Sequence, residues 1–481
     1  MRRACTAIAT ACLLAGCAAG PDFVRPAPPP DSGYLPASQP AGGAQVFHPG
    51  AAVAPDWWRM FGSPELDRMM RAALANNGTL QAAQAALRQS QEELRAGRGV
   101  FWPQLDLAFS AQRQKAAPLT SGLTALRGVF NVFTLGGTIS YLLDVAGANR
   151  RTVEALGAQA DFQRSEMLAT WLSLSGNIAT TSIARAAYAA QIAATRELVR
   201  RQAEQRDIAR TQAAAGIAPF SNVLSIESQL ASSRAQLPAL QQRYDQATHL
   251  LATLVGRSPS QWSAPPLALD QLTLPRDLPL TLPSELVRRR PDILSAEARL
   301  HVASANIGVA TAALFPKVSL AASYSTEGRE IEHMTGPHGR FWQTGAIVDL
   351  PLFHGGTLAH QRDASVLAWR GALANYRQTV LAAFAQVADA LSALGHDTDA
   401  VAAQQQALDA ARQALTLLEA NYRAGLVSYL DVLVADAQLQ RAQIDFIQVR
   451  AQQLQDSAAL YLALGGGWWG LPAQSLQGPP P

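Results

Sequence analysis

The sequence predicts a chain of mixed α-helix and transmembrane β-strand, in which two copies of one unit each supply two strands and one long antiparallel helical hairpin. Three observations carry this. The 28 prolines are missing between Pro118 and Pro219 and again between Pro351 and Pro472, and because an interior proline breaks a helix, these gaps are where long helices can run. Four short runs alternate apolar and polar residues with the period of two that gives a strand two unlike faces. One Gly-centred stretch is also written twice, with Gly425 falling on Gly216, Leu433 on Leu224 and Gln438 on Gln229 at a spacing of 209.

Taken in chain order, "MRRACTAIATACLLAGC" has the basic start, short apolar centre and small-residue end of a secretory signal, and is too short to span a bilayer. "LLAGC" looks like a bacterial lipobox, which makes Cys17 the expected lipid-modified first residue of the mature chain. Cys5 and Cys12 lie upstream of it, so no disulfide is expected. Ala18, rather than an aspartate, follows the cysteine, as in lipoproteins sorted to the outer membrane. Without Arg2 and Arg3 the chain carries 37 basic and 36 acidic residues, which excludes a nucleic-acid footprint. The Pro/Ala/Gly-rich segment up to about Asp56 cannot build a core and reads as an extended tether that lets the body stand off its lipid.

The strands come next. "LDLAFSAQR" sets Leu105, Leu107, Phe109 and Ala111 on one face, and "GTISYLLDV" does the same for Ile139, Tyr141, Leu143 and Val145; "VSLAASYST" and "FWQTGAIVDLPL" are their weaker partners. Runs of roughly ten residues match a transmembrane β-strand. After the signal there is no stretch of 18 apolar residues for a helical span.

The helical arms follow. Leu408, Ala411, Leu415, Leu418 and Tyr422 step by three and four up to Gly425. Leu430, Leu433, Ala437, Ile444, Ile447, Ala451, Leu454, Ala458 and Tyr461 continue the stepping after it. This is an apolar seam on each of two antiparallel helices. The arm from Thr357 to Ala424 would reach on the order of 100 Å if continuous.

The duplication covers almost the whole body, with Pro103 on Pro316 in "GVFWPQLDLAFS" and "ALFPKVSLAASYS". The expected organisation is a signal peptide at 1–16, a lipid-anchored tether at 17–56, a first repeat at 57–258, a linker at 259–282, a second repeat at 283–465 and a tail at 466–481. Four strands cannot close on themselves, and an open edge in lipid leaves backbone groups unpaired at several kcal/mol each. The barrel must therefore be completed by neighbours, and three copies would give twelve strands.

"DWWRMFGSPELDRMMRAALANNGTLQAAQAAL" (Asp56 to Leu87), the FWP strand entry and "YRAGLVSYLDVL" together resemble the TolC-like outer-membrane factor family, in particular its lipoprotein branch, over roughly residues 17 to 465. The resemblance implies a homotrimer whose twelve-stranded β-barrel in the bacterial outer membrane is continued by a long periplasmic α-helical coiled-coil barrel. The implied partners are a periplasmic adaptor protein and an inner-membrane transporter, with outer-membrane lipid around the barrel. The Gly-turns then become the periplasmic tips of helical hairpins, with Gly216, Pro219, Gly425 and Leu426 at the adaptor-docking positions. Glycine suits such a turn because it accepts a positive φ, and proline is favoured early in the helix that restarts at Pro219.

Asp431 matches the family position associated with acidic rings at a closed tip, where three carboxylates would attract cations. The plainer reading is a capping box, Ser428-x-x-Asp431. This chain departs from the family where Val434 stands in a place often acidic, with Asp436 two residues on, and where Asn222 stands in the first copy opposite Asp431. Asp431, Asp436 and Asn222 are thus the gate candidates. Glu332, His333 and His338 read as a solvated external loop. Trp57 and Trp58 read as packing against the start of the body, and Arg288 to Arg290 before Pro291 as a structural repeat start. There is no nucleophile elbow, P-loop or zinc-protease helix, so neither an enzyme nor a cofactor or metal site is expected. The leading function is a passive exit duct for small molecules expelled by the pump. A structural or adhesin-like coiled-coil lipoprotein without conduction is the alternative, and it has no use for membrane strands.

Overall fold

The computed structural model describes residues 18–30, 33–35, 45–115, 129–334 and 336–470. Cys17, the signal and most of the expected tail lie outside them, as does the side chain of His338. In chain order the strands are β1 (Val46–Pro49), β2 (Gln104–Lys115), β3 (Val129–Leu143), β4 (Asp277–Leu280), β5 (Lys317–Gly328) and β6 (Arg340–Asp349). The α-helices are α1 (Pro64–Asn76), α2 (Gly78–Arg98), α3 (Ala148–Ala214), α4 (Phe220–Leu254), α5 (Pro283–Arg289), α6 (Pro291–Ala312), α7 (Thr357–Arg423) and α8 (Tyr429–Ala463). The long helices α3 and α7 have 67 residues each, and their followers α4 and α8 have 35 each. Helix α4 runs on through Pro238, so a proline that cannot donate a backbone bond is tolerated there, contrary to the expectation that prolines bound the helices.

The chain divides into two units. The first comprises Met1–Pro26, Leu87–Gln163 and Ser295–Arg377. Its centre is a sheet in the order β2-β3-β5-β6, antiparallel throughout. Strand β3 begins at Val129, ahead of the alternating run that announces it. Phe130, Val132 and Phe133 put apolar groups on both faces there and hide the period of two. Val145 falls past its end.

The second unit comprises Ala27–Ala86, Arg164–Leu294 and Gln378–Pro481. Helix α1 starts where the Ser63 hydroxyl accepts the Leu66 N–H at 3.2 Å, with Pro64 in the first turn. Its buried side, Leu66, Met69, Met70 and Ala73, recurs in steps of three and four. Trp57 is fully buried and stacks on Tyr461 with centroids 5.4 Å apart. Trp58 is buried too and donates Nε1–H to Asp67 at 3.0 Å. The Trp pair is core, and truncating such a residue to alanine typically costs ~3–5 kcal/mol. Arg290 is likewise structural. Its guanidinium donates to Ala463 O at 2.9 Å, Ala383 O at 3.3 Å and the Gln386 side chain, closing the end of α8.

Two expectations need correction. The Pro/Ala/Gly-rich segment does not stand clear of the body: Val46 to Pro49 pair in parallel with Asp277 to Leu280, and Tyr34 Oη–H donates to Thr281 O at 2.7 Å. Backbone bonding, invisible to composition, holds the segment and the inter-repeat linker together. Arg185 fixes the linker further, donating to Pro265 O and Tyr244 Oη, each at 2.8 Å. The second correction concerns the seam of α8, where Leu433 is buried as expected but Leu430 is 64% exposed and Val432 and Ala435 are buried in addition. Leu433 packs on the first hairpin and Val432 and Ala435 pack against Leu415 of α7, so the first turns of α8 bury two sides rather than one stripe.

Candidate functional site

The duplicated turns lie in the second unit. Gly216 takes φ +71° and Gly425 takes φ +72°. After α3, Ile217 N–H donates to Gln212 O at 2.9 Å and Gly216 N–H to Ala213 O at 3.1 Å; after α7, Leu426 N–H donates to Asn421 O and Gly425 N–H to Tyr422 O, both at 2.9 Å. This paired bonding is a Schellman cap, which satisfies the carbonyls that a helix end leaves open. A Cβ on either glycine would meet nothing within 4 Å among the described residues, so the demand is for a left-handed backbone and not for space.

Both turns present apolar side chains to solvent. Ile217 and Leu426, the residues after the glycines, are 76% and 74% exposed, and Phe220, Leu224, Leu430 and Val434 are exposed as well. In an ordinary Schellman cap this side chain packs back on the helix. Here it stands free in both copies. Pro219 sits just before the first helical residue of α4 and accepts the Asn222 N–H at 3.0 Å.

Behind the turns the two hairpins are knitted together. Ala209, Val223 and Ile226 of the first pack with Leu433 of the second, and Leu415, Val432 and Ala435 form a neighbouring cluster. The Tyr422 and Tyr429 rings meet edge-on at 5.2 Å. Tyr429 Oη–H donates to Gln205 Oε1 at 2.8 Å, and Tyr422 Oη–H to Gln212 Oε1 at 3.3 Å. Tyr422 is a seam residue of the sequence, whereas Tyr429, Gln205 and Gln212 were not singled out by it. Their only signal is that polar groups interrupt the seam near the turn.

The gate candidates fall into different environments. Asp431 is exposed and accepts both the amide and the hydroxyl of Ser428, at 2.9 and 2.6 Å. Those two bonds hold its carboxyl below the usual range. Asp436 is 3% exposed, and burial pushes its carboxyl up, partly opposed by the Gln202 amide that donates to it at 3.1 Å. Gln202 Oε1 has no hydrogen-bond partner among the described residues. Asn222 is half-buried. The geometry therefore brings Asp436 to α3 and leaves Asp431 at the turn.

A second feature belongs to the sheet of the first unit. The register sets Leu105 opposite Ile139, Ile139 opposite Ala322 and Ala322 opposite Thr344; two residues along, Leu107, Gly137, Tyr324 and Trp342 line up. This face is mostly apolar and exposed, with Leu107 at 77% and Trp342 at 71%. The other face carries Asp106, Thr138, Ser323 and Gln343 in one row. Among the described residues, strands β2 and β6 each have one neighbour only, so two long edges of the sheet are open there. In the loop beyond β5, His333 pairs with Glu330 at 3.1 Å, both exposed. Among the described residues no cluster of His, Cys, Asp or Glu could hold a metal ion, and no helix is long and apolar enough to cross a membrane.

Comparison with known proteins adds the following. The family described as outer membrane efflux protein matches residues 69–257 and 282–466. The chain is 34% identical to the pyoverdine export outer membrane protein OpmQ of Pseudomonas aeruginosa, over 95% of this chain and 96% of that one. Among solved structures it resembles the outer-membrane channel OprN, with a TM-score of 0.86 and 26% identity over 94% of this chain and all of that one. The open state of the Neisseria gonorrhoeae MtrE outer membrane channel follows with a TM-score of 0.81 and 26% identity, covering 94% and 98%.

Proposed function

Since the chain belongs to the outer membrane efflux protein family, we propose that it is the passive exit duct of a tripartite export system, a homotrimer joined by a periplasmic adaptor to an inner-membrane transporter that supplies the energy. It is an efflux protein of the outer membrane that extends into the periplasm. The observation that carries the duct is the four-stranded sheet with one apolar face, one polar face and two open edges. Edges in lipid must be paired, so β2 of one copy joins β6 of the next, and three copies close a twelve-stranded barrel with its polar face inward. Cys17 carries the lipid anchor.

The equal helix lengths support reading 57–258 and 283–465 as two repeats, so that each protomer contributes two hairpin tips. The exposed Ile217 and Leu426 beside Gly216 and Gly425, with Pro219 at the helix start, form the adaptor-docking surface. Asp431 is the charge at the tip. Asp436, turned to Gln202, acts through the packing of the hairpin wall. Reconstitution into planar bilayers tests the duct: discrete conductance steps are expected, and a stable but silent trimer would favour a coiled-coil lipoprotein without conduction.

A further inference from the structure

The charged side chains of the four long strands divide by face. Asp106, Lys317, Glu327 and Asp349 stand on the polar face, where Lys317 lies directly opposite Asp349. Arg113 and Lys115 of β2 and Arg340 of β6 stand on the apolar face, all exposed, and within these strands no acid shares that face with them. Alternation makes the assignment: Arg113 and Lys115 continue the row of Leu105, Leu107 and Phe109 in steps of two, and Arg340 stands two residues ahead of Trp342.

All three cations lie at one end of the sheet. There β2 and β5 finish and β3 and β6 begin, whereas α2, α3, α6 and α7 all adjoin the other end. In an outer-membrane protein that extends into the periplasm, the end without helices is the external one. The eight residues from Leu105 to Arg113 cover about 27 Å along the strand and roughly 20 Å of height at the usual tilt of a membrane strand. That crosses most of an apolar band, so the cations stand at its outer margin. The inner margin of the same face carries Leu105, Leu143, Val318 and Val348 and no charge. Side chains that served only to seat a barrel between two water layers would have no reason to prefer one margin.

The cations are also confined to the two edge strands, since β3 and β5 add none to this face. Where β2 of one copy joins β6 of the next, Arg113 and Lys115 meet the neighbouring copy's Arg340 at one junction. Guanidinium and ammonium groups gathered without acids beside an apolar wall suit a ligand that has acyl chains and a phosphate headgroup.

We propose that the outer end of each β2–β6 junction binds the phosphate groups of a phosphorylated glycolipid in the outer leaflet of the outer membrane, through Arg113 and Lys115 of one copy and Arg340 of the next. The site rests on the trimeric barrel proposed above, because a single copy holds its two halves on opposite edges of the sheet.

The test uses the full chain extracted in mild detergent, with native mass spectrometry reading copy number and bound lipid in the same spectrum. The probes are bis-phosphorylated lipid A, the same lipid without its phosphates, and inorganic phosphate. Three-copy particles of the native chain should hold the phosphorylated lipid at least about tenfold more tightly than the stripped one, the scale of three exposed ion pairs acting together. This comparison needs no variant. Combined Arg113→Gln, Lys115→Gln and Arg340→Gln should abolish the preference, and Lys317→Gln, on the polar face, should leave it unchanged. Three-copy native particles with equal affinity for the two lipids would overturn the site and leave the barrel standing, as would a glutamine variant that assembles and keeps the preference. Displacement of the lipid by an equal concentration of inorganic phosphate would overturn the lipid as the partner. A native chain found only as single copies would overturn the trimeric barrel, and the junction site with it.

Discussion

Gly216 and Gly425 end their helices with the same left-handed step and the same pair of cap bonds, yet the helices that follow start differently. Helix α4 opens behind Pro219, which offers no side-chain cap, whereas α8 opens on Ser428, whose amide and hydroxyl both reach Asp431. The first turn also lacks a carboxylate where Asn222 stands opposite Asp431. The backbone geometry has been kept in both copies and the charge in one. On the proposed docking role, the shared shape of the turn serves whatever engages both hairpins alike, and the acid serves something local to the second.

The strongest way to break the comparison is proline at the glycines. Gly425→Pro removes the N–H that bonds Tyr422 O and forbids a φ of +72°. Assemblies should remain in the membrane, while cross-linking to the adaptor and export both fall by at least about tenfold, equivalent to roughly 1.4 kcal/mol of docking. Gly216→Pro should do the same if shape is what both turns supply; unchanged export from either would remove that turn from the docking surface. Alanine is the milder probe. With nothing near a new Cβ, the cost at each site is the left-handed conformation alone, roughly 1–2 kcal/mol. Equal drops in the melting temperature of the two variants would support this, and a large inequality would mean that one turn touches something else.

The acids sharpen the contrast through pH. The Asp436 carboxyl is raised by burial, so the folded state holds its proton more tightly than the unfolded chain. Its charge therefore weakens the fold as pH rises through the folded pKa, and stability returns as pH falls. Asp436→Asn should raise the melting temperature at alkaline pH and flatten this dependence, since an amide can also donate to the orphaned Gln202 Oε1. Asp431 is lowered by Ser428, so its contribution is present above the ordinary carboxylate range and lost as pH falls through the folded pKa. Asp431→Asn should lower the melting temperature at neutral pH and leave the strongly acidic value unchanged. Opposite signs from two acids five residues apart on α8 are the measurable outcome, and a shared sign would contradict the assigned environments. The smallest effect is expected for Asn222→Asp. With Pro219 where α8 has Ser428, no hydroxyl can accompany the carboxylate, and a change within about 0.5 kcal/mol follows.

The turns were legible because each depends on one residue type whose backbone freedom is unusual, and because the chain repeats it. The strands were legible wherever one face was apolar and the other polar. They were lost at Val129 to Leu135, where both faces carry apolar groups. The long helices announced their ends through Pro and Gly; the end of α7 at Arg423 falls beside the expected Ala424. Long-range polar pairing was not legible. Gln202 and Asp436 are 234 positions apart, and nothing in either local sequence marks a glutamine that will meet a buried carboxylate. The N-terminal segment misled for a related reason. Its composition rules out a core of its own, yet single residues such as Asp22, Phe23 and Arg25, which meet Arg151, His301 and Glu297, suffice to fix it to helices that were already there.

The central claim is that one chain carries too few strands to seal itself in a bilayer. Native mass spectrometry of the detergent-extracted protein tests it most directly: the account predicts a particle of three copies that survives mild detergent, and a homogeneous single-copy particle that still conducts would contradict it.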